Sequence, residues 1–190
     1  MIKKLLIVLL AVLFIAPVAS AVEVGGKNLP EKLQMGDTTV FINGSGIRMK
    51  AWIIKVYACG LYLTKKMNDP QKIMDADEPM AIRMHVISGL MSYDKLVAAL
   101  REGFEKATKG NIGPIKAKID KYIAAHKGEV KEDKLYQYEY VPGEGTSVVI
   151  DGRKAITVEG LDFKKAVFGI WLCDEPADAD LKERLIGNEE

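Results

Sequence analysis

The chain has 190 residues, and its 27 basic and 26 acidic residues nearly balance. Because the two signs are interspersed, whereas nucleic-acid-binding proteins concentrate basic residues, we exclude a nucleic-acid partner. The histidines, His85 and His126, lie far apart, and Cys59 and Cys173 form no C-x-x-C pair. Without metal-ligand spacing, a P-loop or a dinucleotide motif, the sequence predicts neither a metal nor a cofactor. Buried free thiols are the expected state of the cysteines, with a disulfide between them as the alternative.

Residues 1–21 have the features of a secretory signal peptide. Two lysines near the start precede an apolar run from Leu5 to Ile15, and Ala19-Ser20-Ala21 is an A-x-A cleavage site. A signal anchor is the alternative, but Pro17 interrupts the run, which is shorter than the ~20 residues of a spanning helix. We therefore expect export to the periplasm, cleavage after the A-x-A site, and a single mature domain, residues 22–190, without a membrane span.

Apolar periodicity divides the mature chain into strands, a helical block and further strands. In the first part the pattern predicts an extended start at 22–26, a turn-rich passage through Pro30 and Gly36, strands at 39–47 and 52–63, and a polar turn at 65–70. In the helical block it predicts a short helix at 71–76, a strand at 80–87, and helices at 92–109 and 114–126. In the last part it predicts strands at 135–141, 146–150 and 155–158, a helix at 161–172, and a final helix opened by Asp178 or Asp180 and ending at Leu185. Strands before and after a helical block indicate an α+β domain with a mainly antiparallel sheet.

Local signals mark several boundaries of these elements. Ser92 is a predicted N-cap, and Gly110 ends the helix that follows it. Asp151-Gly152-Arg153-Lys154 is typical of a hairpin turn. Three tyrosines alternate along the strand at 135–141, and we expect them to form a packed or solvated sheet face rather than a binding ladder.

Arg48 is the residue whose position most needs an explanation. It lies at the join of two apolar strands, and both alternating sets of the second strand, 52–63, are largely apolar, which predicts a strand covered on both faces. A guanidinium that points toward either cover needs an acidic or oxygen-rich partner. The residues alone leave two alternatives open: an internal salt bridge or backbone clamp, or a bound ligand.

Several motifs carry a resemblance to a known family. In chain order they are Gly44-x-Gly46-Ile47-Arg48, Lys55-Val56-Tyr57-Ala58-Cys59-Gly60-Leu61-Tyr62-Leu63, Ser88-Gly89 with Tyr93, and a closing run that contains Phe168-Gly169-Ile170-Trp171 and Asp174-x-Pro176-Ala177-Asp178. In order and spacing they resemble the chalcone isomerase-like family of bacterial exported proteins, over nearly all of the mature chain. The resemblance implies an open-faced β-sandwich, in which a large antiparallel sheet carries a layer of helices and a ligand cleft lies between them.

The same resemblance implies roles for individual positions. Plant chalcone isomerases stabilise a developing enolate with an arginine, to which Arg48 corresponds, and Tyr93 corresponds to a site tyrosine at the start of the helix. Where those enzymes have a threonine, an asparagine and a second threonine, this chain has Tyr57, Leu100 and Ile170. Non-catalytic relatives bind fatty acids in the equivalent cleft. The resemblance therefore implies that Arg48, Tyr57 and Tyr93 hold a carboxylate, while Leu100 and Ile170 line the apolar part of the pocket.

Three functions remain as alternatives. The leading hypothesis is a non-catalytic protein of the cell envelope that binds a small amphipathic carboxylate, such as a fatty acid. The second is an isomerase or lyase for an enone-like substrate, in which Arg48 polarises a carbonyl and Tyr93 assists. The third is an envelope interaction protein with a vestigial cleft, because Tyr57 and Leu100 are larger than the groups they replace and can fill the pocket.

Overall fold

The structure of the protein, a computed structural model, describes residues 20–128 and 130–188. The predicted signal peptide lies outside the described residues except for its last two positions, so it stays a prediction. Within the described ranges the strands are β1 (Ala21–Val24), β2 (Lys27–Pro30), β3 (Lys32–Met35), β4 (Thr38–Lys50), β5 (Ile54–Leu63), β6 (Met80–Val86), β7 (Leu135–Val141), β8 (Gly145–Ile150) and β9 (Arg153–Val158). The α-helices are α1 (Pro70–Asp75), α2 (Tyr93–Ala107), α3 (Lys116–Ala124), α4 (Leu161–Leu172) and α5 (Ala179–Leu185). None of these helices is long and apolar enough to cross a membrane.

Seven strands form one antiparallel sheet in the order β3-β4-β5-β6-β7-β8-β9, so each strand pairs with its neighbours in sequence. Helices α2, α3 and α4 cover one face of this sheet, and the main hydrophobic core lies between that face and the helices. The three tyrosines of β7 are buried in this core, so they pack rather than form a solvated face. The predicted α+β class is confirmed.

A hairpin that the sequence did not predict covers part of the opposite face. Strands β1 and β2 pair with each other, and Leu29 of β2 packs with Ala58 of β5. A Cβ at Gly60 would lie 3.3 Å from Leu29 Cδ1, so this glycine gives the hairpin room to approach. β5 is accordingly buried throughout Tyr57–Leu63, as predicted for a strand covered on both faces. The extended start predicted at 22–26 agrees with β1, whereas the passage predicted as turn-rich through Pro30 and Gly36 contains β2 and β3, because tertiary packing makes these short segments strands.

The long β4–β5 hairpin contains a bulge at Asn43. The pairing register shifts between Ile42 and Gly44, and the side chain of Asn43 is buried. Its Nδ2 donates to Met67 O at 2.8 Å and to Leu185 O at 2.9 Å, and its Oδ1 accepts from Met67 N at 2.8 Å. A bulge redirects a side chain out of the regular ladder. Here it lets one amide group join the sheet to the C-terminal end of α5.

Helix α5 lies directly on β4, and two glycines of β4 make this approach possible. A Cβ at Gly44 would overlap the carbonyl oxygen of Arg184 and lie 2.5 Å from Leu185 O. A Cβ at Gly46 would lie 2.8 Å from Arg184 Cδ. Leu181 and Leu185 of α5 are fully buried in the contact. The Gly44-x-Gly46 motif therefore serves close packing of a helix on a strand.

The helix ends follow their capping signals with one exception. The Ser92 hydroxyl accepts a first-turn N–H of α2 at 3.4 Å, and Asp178 accepts a first-turn N–H of α5 at 2.9 Å. Asp178 is thus the residue that opens the last helix. The single helix predicted over 114–126 begins instead as a 3-10 turn and ends at Ala124. Pro114 lies in this 3-10 turn, where its missing N–H costs no hydrogen bond, because first-turn N–H groups have no partner within the helix.

Lys164 of α4 is fully buried and was not singled out in the sequence. Its ammonium donates to the carbonyl oxygens of Ile73, Met74 and Ala76 at 2.8, 2.9 and 2.7 Å. All three ammonium hydrogens therefore have acceptors at the C-terminal end of α1, where a cation also favours the helix dipole. Burial lowers the pKa of Lys164 to about 8. A six-residue helix such as α1 is not stable alone, so this contact holds it in place.

His126 is a buried histidine that links α3 to β7. Its Nδ1 donates to the carbonyl oxygen of Tyr122 at 2.9 Å, and its Nε2 accepts from the hydroxyl of Tyr138 at 3.2 Å. Nδ1 must carry the proton because a carbonyl oxygen can only accept. Burial lowers the pKa of His126 to about 4. The ring is therefore neutral at neutral pH.

We expect the fold to lose stability as the pH falls from about 6.5 to about 4. The ordinary pKa of 6.5 applies in the unfolded chain, whereas the pKa of folded His126 is about 4, so the unfolded state binds the extra proton in this window. The free energy of unfolding should fall by roughly 3 kcal/mol across it. Urea unfolding at pH 7.5 and pH 4 measures this loss. The His126→Gln variant should lack this part of the loss, and equal losses in both proteins would contradict the contribution of His126.

Candidate functional site

A cleft of about 450 Å³ opens between the end of the β4–β5 hairpin and the first half of α2. The segment that joins β6 to α2 forms its third side. Its apolar lining comes from both strands of the hairpin, from this loop and from α2: Met49, Ile54, Val56, Leu90, Met91, Ala98 and Ala99. Its polar lining consists of Arg48, Lys50, Ser88, Lys95 and Glu102. A volume of this size suits a small molecule.

Arg48 lies near the end of β4 and lines the cleft with its half-buried side chain. Its Nη2 donates to the carbonyl oxygen of Ala177 at 3.4 Å, and its Cζ lies 5.9 Å from the ring centre of Tyr57, its partner on β5. Of the alternatives left open by the sequence, an internal salt bridge is not formed among the described residues. The protein instead makes one long contact to a backbone oxygen and directs the cation along the cleft wall.

The N-terminal end of α5 positions Arg48. Asp178 caps α5, and its second carboxylate oxygen accepts from the backbone N–H of Met49 at 3.3 Å. The preceding residue, Ala177, supplies the carbonyl that Arg48 contacts. Because Gly44 lets α5 lie on β4, the position of the guanidinium depends on a glycine four residues before it.

Two lysines add positive charge to the cleft. Lys50 is the last residue of β4. Lys95 lies in the first turn of α2, and its ammonium donates to the carbonyl oxygen of Leu90 at 2.8 Å. The acidic residue of the lining, Glu102, pairs with Lys106 at 2.7 Å. This hydrogen bond lowers the pKa of the Glu102 carboxyl, so it is ionised with its charge balanced. The cleft therefore presents net positive charge.

Tyr57 lies beneath Arg48, in the core rather than in the cleft lining. It is fully buried, and its hydroxyl oxygen accepts from Trp171 Nε1 at 3.0 Å. Burial raises the pKa of Tyr57 far above its ordinary value, and the nearby Arg48 charge opposes this only in part. Tyr57 is therefore a neutral hydroxyl group, held by an indole from α4.

Tyr93, Leu100 and Ile170 do not line the cleft. Tyr93 begins α2 and is half-buried against the main core, whereas Leu100 and Ile170 are buried within it. A Cβ at Gly103 would lie 2.7 Å from Ile170 Cγ2, so α2 and α4 are in close contact at this point. The structure thus brings Arg48 and Tyr57 together and places the two aliphatic residues behind the cleft. Their assignment to a ligand stays a prediction.

The sequence analysis missed the residues that complete the cleft. Lys50 and Lys95 look like ordinary surface lysines, and no motif distinguishes them. Leu90 and Met91 carried an indirect signal, because they follow the Ser88-Gly89 motif. The Ser88 hydroxyl accepts from Leu90 N at 3.1 Å, which shapes the loop at the cleft.

The two cysteines do not line this cleft. Cys59 and Cys173 are both free and buried, and burial raises the pKa of both thiols. The expected state of the cysteines is thus the observed one. Within residues 20–128 and 130–188, histidine, cysteine, aspartate and glutamate side chains form no group of three that could hold a metal ion.

An antiparallel sheet with helices on one face and a cleft at their junction defines an open-faced β-sandwich protein. The family model described as chalcone isomerase-like matches residues 21–187. The chain belongs to the chalcone isomerase-like family, as its motifs predicted. A fatty-acid binding protein of Arabidopsis thaliana is similar in structure, with a TM-score of 0.70 and 19% sequence identity over 86% of this chain and 93% of that chain. No curated protein matches the sequence.

Proposed function

We propose that the protein binds, without catalysis, a small amphipathic carboxylate such as a fatty acid in the cleft between the sheet and α2. The observation that carries the proposal is the presence of three cations, Arg48, Lys50 and Lys95, in a cleft with otherwise mainly apolar walls. Cationic donors pair with a carboxylate, and hydrocarbon walls accept an alkyl chain. The fatty-acid binding protein with the same fold supports the same ligand class.

Each of the residues implied by the family has a role in this proposal. Arg48 binds the carboxylate with its planar guanidinium, which can donate two parallel hydrogen bonds. We assign the hydroxyl groups of Tyr57 and Tyr93 to the head-group end, as the family resemblance implies, beside the Ser88 hydroxyl of the lining. Leu100 and Ile170 form the apolar wall behind the alkyl chain, in the layer where α2 and α4 meet.

The environment of these residues favours binding over isomerase chemistry. An isomerase of this type needs polar groups that hold a phenolic substrate and stabilise its enolate. Leu100 and Ile170 supply hydrocarbon instead, and the Tyr57 hydroxyl already accepts a hydrogen bond from Trp171. Arg48 remains as a cation without the set of groups that catalysis requires.

We further propose that the protein acts in the periplasm after removal of residues 1–21. The basic start, the apolar run and the A-x-A site support export. Strand β1 begins at Ala21, and its pairing with β2 continues through Val22, Glu23 and Val24, so cleavage after Ala21 leaves most of this hairpin intact.

Native mass spectrometry of the protein purified from its own envelope tests the function. We expect wild type to retain a small acid that is absent from the Arg48→Met variant, and the same spectra should give the mass of a chain that begins at Val22. In titrations with palmitate, the substitution should weaken binding by about 100-fold, because a charge-assisted pair contributes up to about 3 kcal/mol.

Arg101→Met is the matched control for the loss of an arginine. Arg101 lies on α2 but pairs with Asp120 at 3.3 Å, away from the cleft lining, so this variant should bind palmitate as wild type does. Wild-type protein that carries no acid and binds no palmitate would contradict the proposal. Turnover of an added enone that requires Arg48 would then favour the isomerase, and a specific protein partner would favour the interaction protein.

A further inference from the structure

The tip of the β4–β5 hairpin exposes an unusual amount of apolar surface. Trp52 is 87% exposed and Ile53 is 82% exposed. Leu90, on the loop at the other side of the cleft, is 61% exposed. Isolated exposed apolar residues are ordinary, but three large ones at one end of the molecule indicate an interaction surface. We call residues 51–53 together with Leu90 the apolar tip.

The turn at the apolar tip joins β4 to β5, and a tight hairpin turn requires a left-handed backbone that two non-glycine residues supply here. Ala51 has φ 50° and Trp52 has φ 63°, a left-handed conformation that glycine or asparagine adopts more readily. A bulky residue in this region is an outlier. Burial of Trp52 does not offset the strain, because the side chain points into solvent. The turn therefore holds the indole of Trp52 outside the fold, on the exposed end of the hairpin.

Basic residues surround the apolar tip. Lys50 and Lys55 flank the turn, and the segment 47–56 contains a third cation, Arg48, and no acidic residue. Lys95 lies across the cleft, where its ammonium contacts the Leu90 carbonyl at 2.8 Å. The tip thus combines an exposed indole with cations on both sides.

Three acidic residues lie near the tip, and two of them are paired within the fold. Asp178 is engaged by backbone N–H groups of α5 and of Met49, and Glu102 is paired with Lys106. Asp180 lines the groove next to Trp52. The cations Arg48, Lys50, Lys55 and Lys95 outnumber Asp178 and Asp180, so the surface around the tip keeps net positive charge.

We propose that the apolar tip docks on an anionic lipid surface. Tryptophan prefers the interface between acyl chains and head groups, and Ile53 and Leu90 add apolar area that enters the same layer. Lys50 and Lys95 at the cleft and Lys55 on the other side of the hairpin have side chains long enough to contact lipid phosphates. The cleft then opens toward the bilayer, the source of any amphipathic acid. The docking itself does not depend on ligand binding in the cleft.

Binding of the mature protein to vesicles tests the proposal. At low salt the protein should float with vesicles that contain phosphatidylglycerol. The fraction that floats with pure phosphatidylcholine vesicles should be at least about tenfold lower, since each lysine near an anionic surface strengthens binding about fivefold. Tryptophan emission should shift to shorter wavelength on binding. Because Trp171 is buried, the shift reports Trp52, and it should be absent in Trp52→Phe while binding persists.

A matched pair of variants separates the tip from general stickiness. The double variant Trp52→Ser/Ile53→Ser should lose at least about tenfold in binding to anionic vesicles. Phe41→Ser removes an exposed aromatic residue near the other end of β4. Nine residues of strand separate Phe41 from Lys50, which corresponds to about 30 Å. This variant should bind anionic vesicles as wild type does. Circular dichroism checks that both variants are folded.

Four results would overturn the proposal. Wild-type protein that does not float with anionic vesicles would contradict it. Equal losses of vesicle binding in Trp52→Ser/Ile53→Ser and in Phe41→Ser would contradict it as well. A wild-type protein that floats without a shift in tryptophan emission would show that another surface binds the lipid. Binding of the tip to a purified protein partner, without vesicle binding, would reassign the surface to that partner.

Discussion

Replacement of Gly44 by alanine should detach α5 from the sheet and lower the free energy of unfolding by about 5 kcal/mol. The new Cβ would overlap the carbonyl oxygen of Arg184 and lie 2.5 Å from that of Leu185, and backbone atoms cannot rotate away as a side chain can. The helix has to move. Its movement exposes Leu181 and Leu185, which are 1% and 0% exposed, and burial of one leucine contributes about 1.5–3 kcal/mol.

Urea unfolding and amide hydrogen exchange measure this effect, and exchange in α5 should accelerate. Affinity for palmitate should fall as well, because Ala177 and Asp178 at the start of α5 hold Arg48 and Met49. The control is Gly113→Ala, where no atom lies within 4 Å of the added Cβ. Its unfolding free energy should stay within about 1 kcal/mol of wild type. Unaltered urea resistance of Gly44→Ala would show that α5 does not lie on β4 as described.

The second large effect is expected at the buried lysine of α4. Lys164→Met should lower the free energy of unfolding by about 4 kcal/mol. Methionine fills a similar volume but leaves the carbonyl oxygens of Ile73, Met74 and Ala76 without the donor that contacts each of them. An unsatisfied buried acceptor costs about 1–3 kcal/mol, and relief from burying a cation offsets part of the sum.

The adjacent lysine provides the control for this substitution. Lys165 has the same charge but is half-exposed, and it pairs with Asp75 at 2.7 Å on the surface. Lys165→Met should cost no more than about 1 kcal/mol, since exposed ion pairs contribute little. Local exchange should also locate the damage of Lys164→Met at α1, whose C-terminal carbonyls lose their partner. Equal unfolding free energies for the two variants would contradict the buried role of Lys164.

Elements with strong local signals were predicted well. Helix α4 has the predicted bounds, 161–172, because a nearly continuous apolar segment of that length begins and ends at clear breaks. The predicted hairpin turn at Asp151-Gly152 has positive φ at both residues, 48° and 78°, as a tight hairpin requires. Strand β2 and its pairing with β1 were missed because both strands have only four residues, and their stability comes from packing on β5.

The candidate site was predicted only in part, for a related reason. Arg48 stood out as a cation between apolar strands, and Tyr57 proved to be its partner across the hairpin. Lys50 and Lys95 could not be recognised, since a lysine at a cleft and a lysine on an open surface are identical in sequence. The segments that form the cleft are separated by more than thirty residues along the chain, and no local pattern records that they meet.

The sequence by itself determined the α+β class and the family, and it marked Arg48 as a cation between apolar strands, because periodicity, order and spacing of motifs are properties of the chain alone. Only the tertiary structure decided that Leu100 and Ile170 lie in the core behind the cleft, that Trp171 holds the Tyr57 hydroxyl, and that Lys164 is buried on α1. These are contacts between residues far apart in the chain. They depend on how the helices pack against the sheet, and packing is a property of the whole fold.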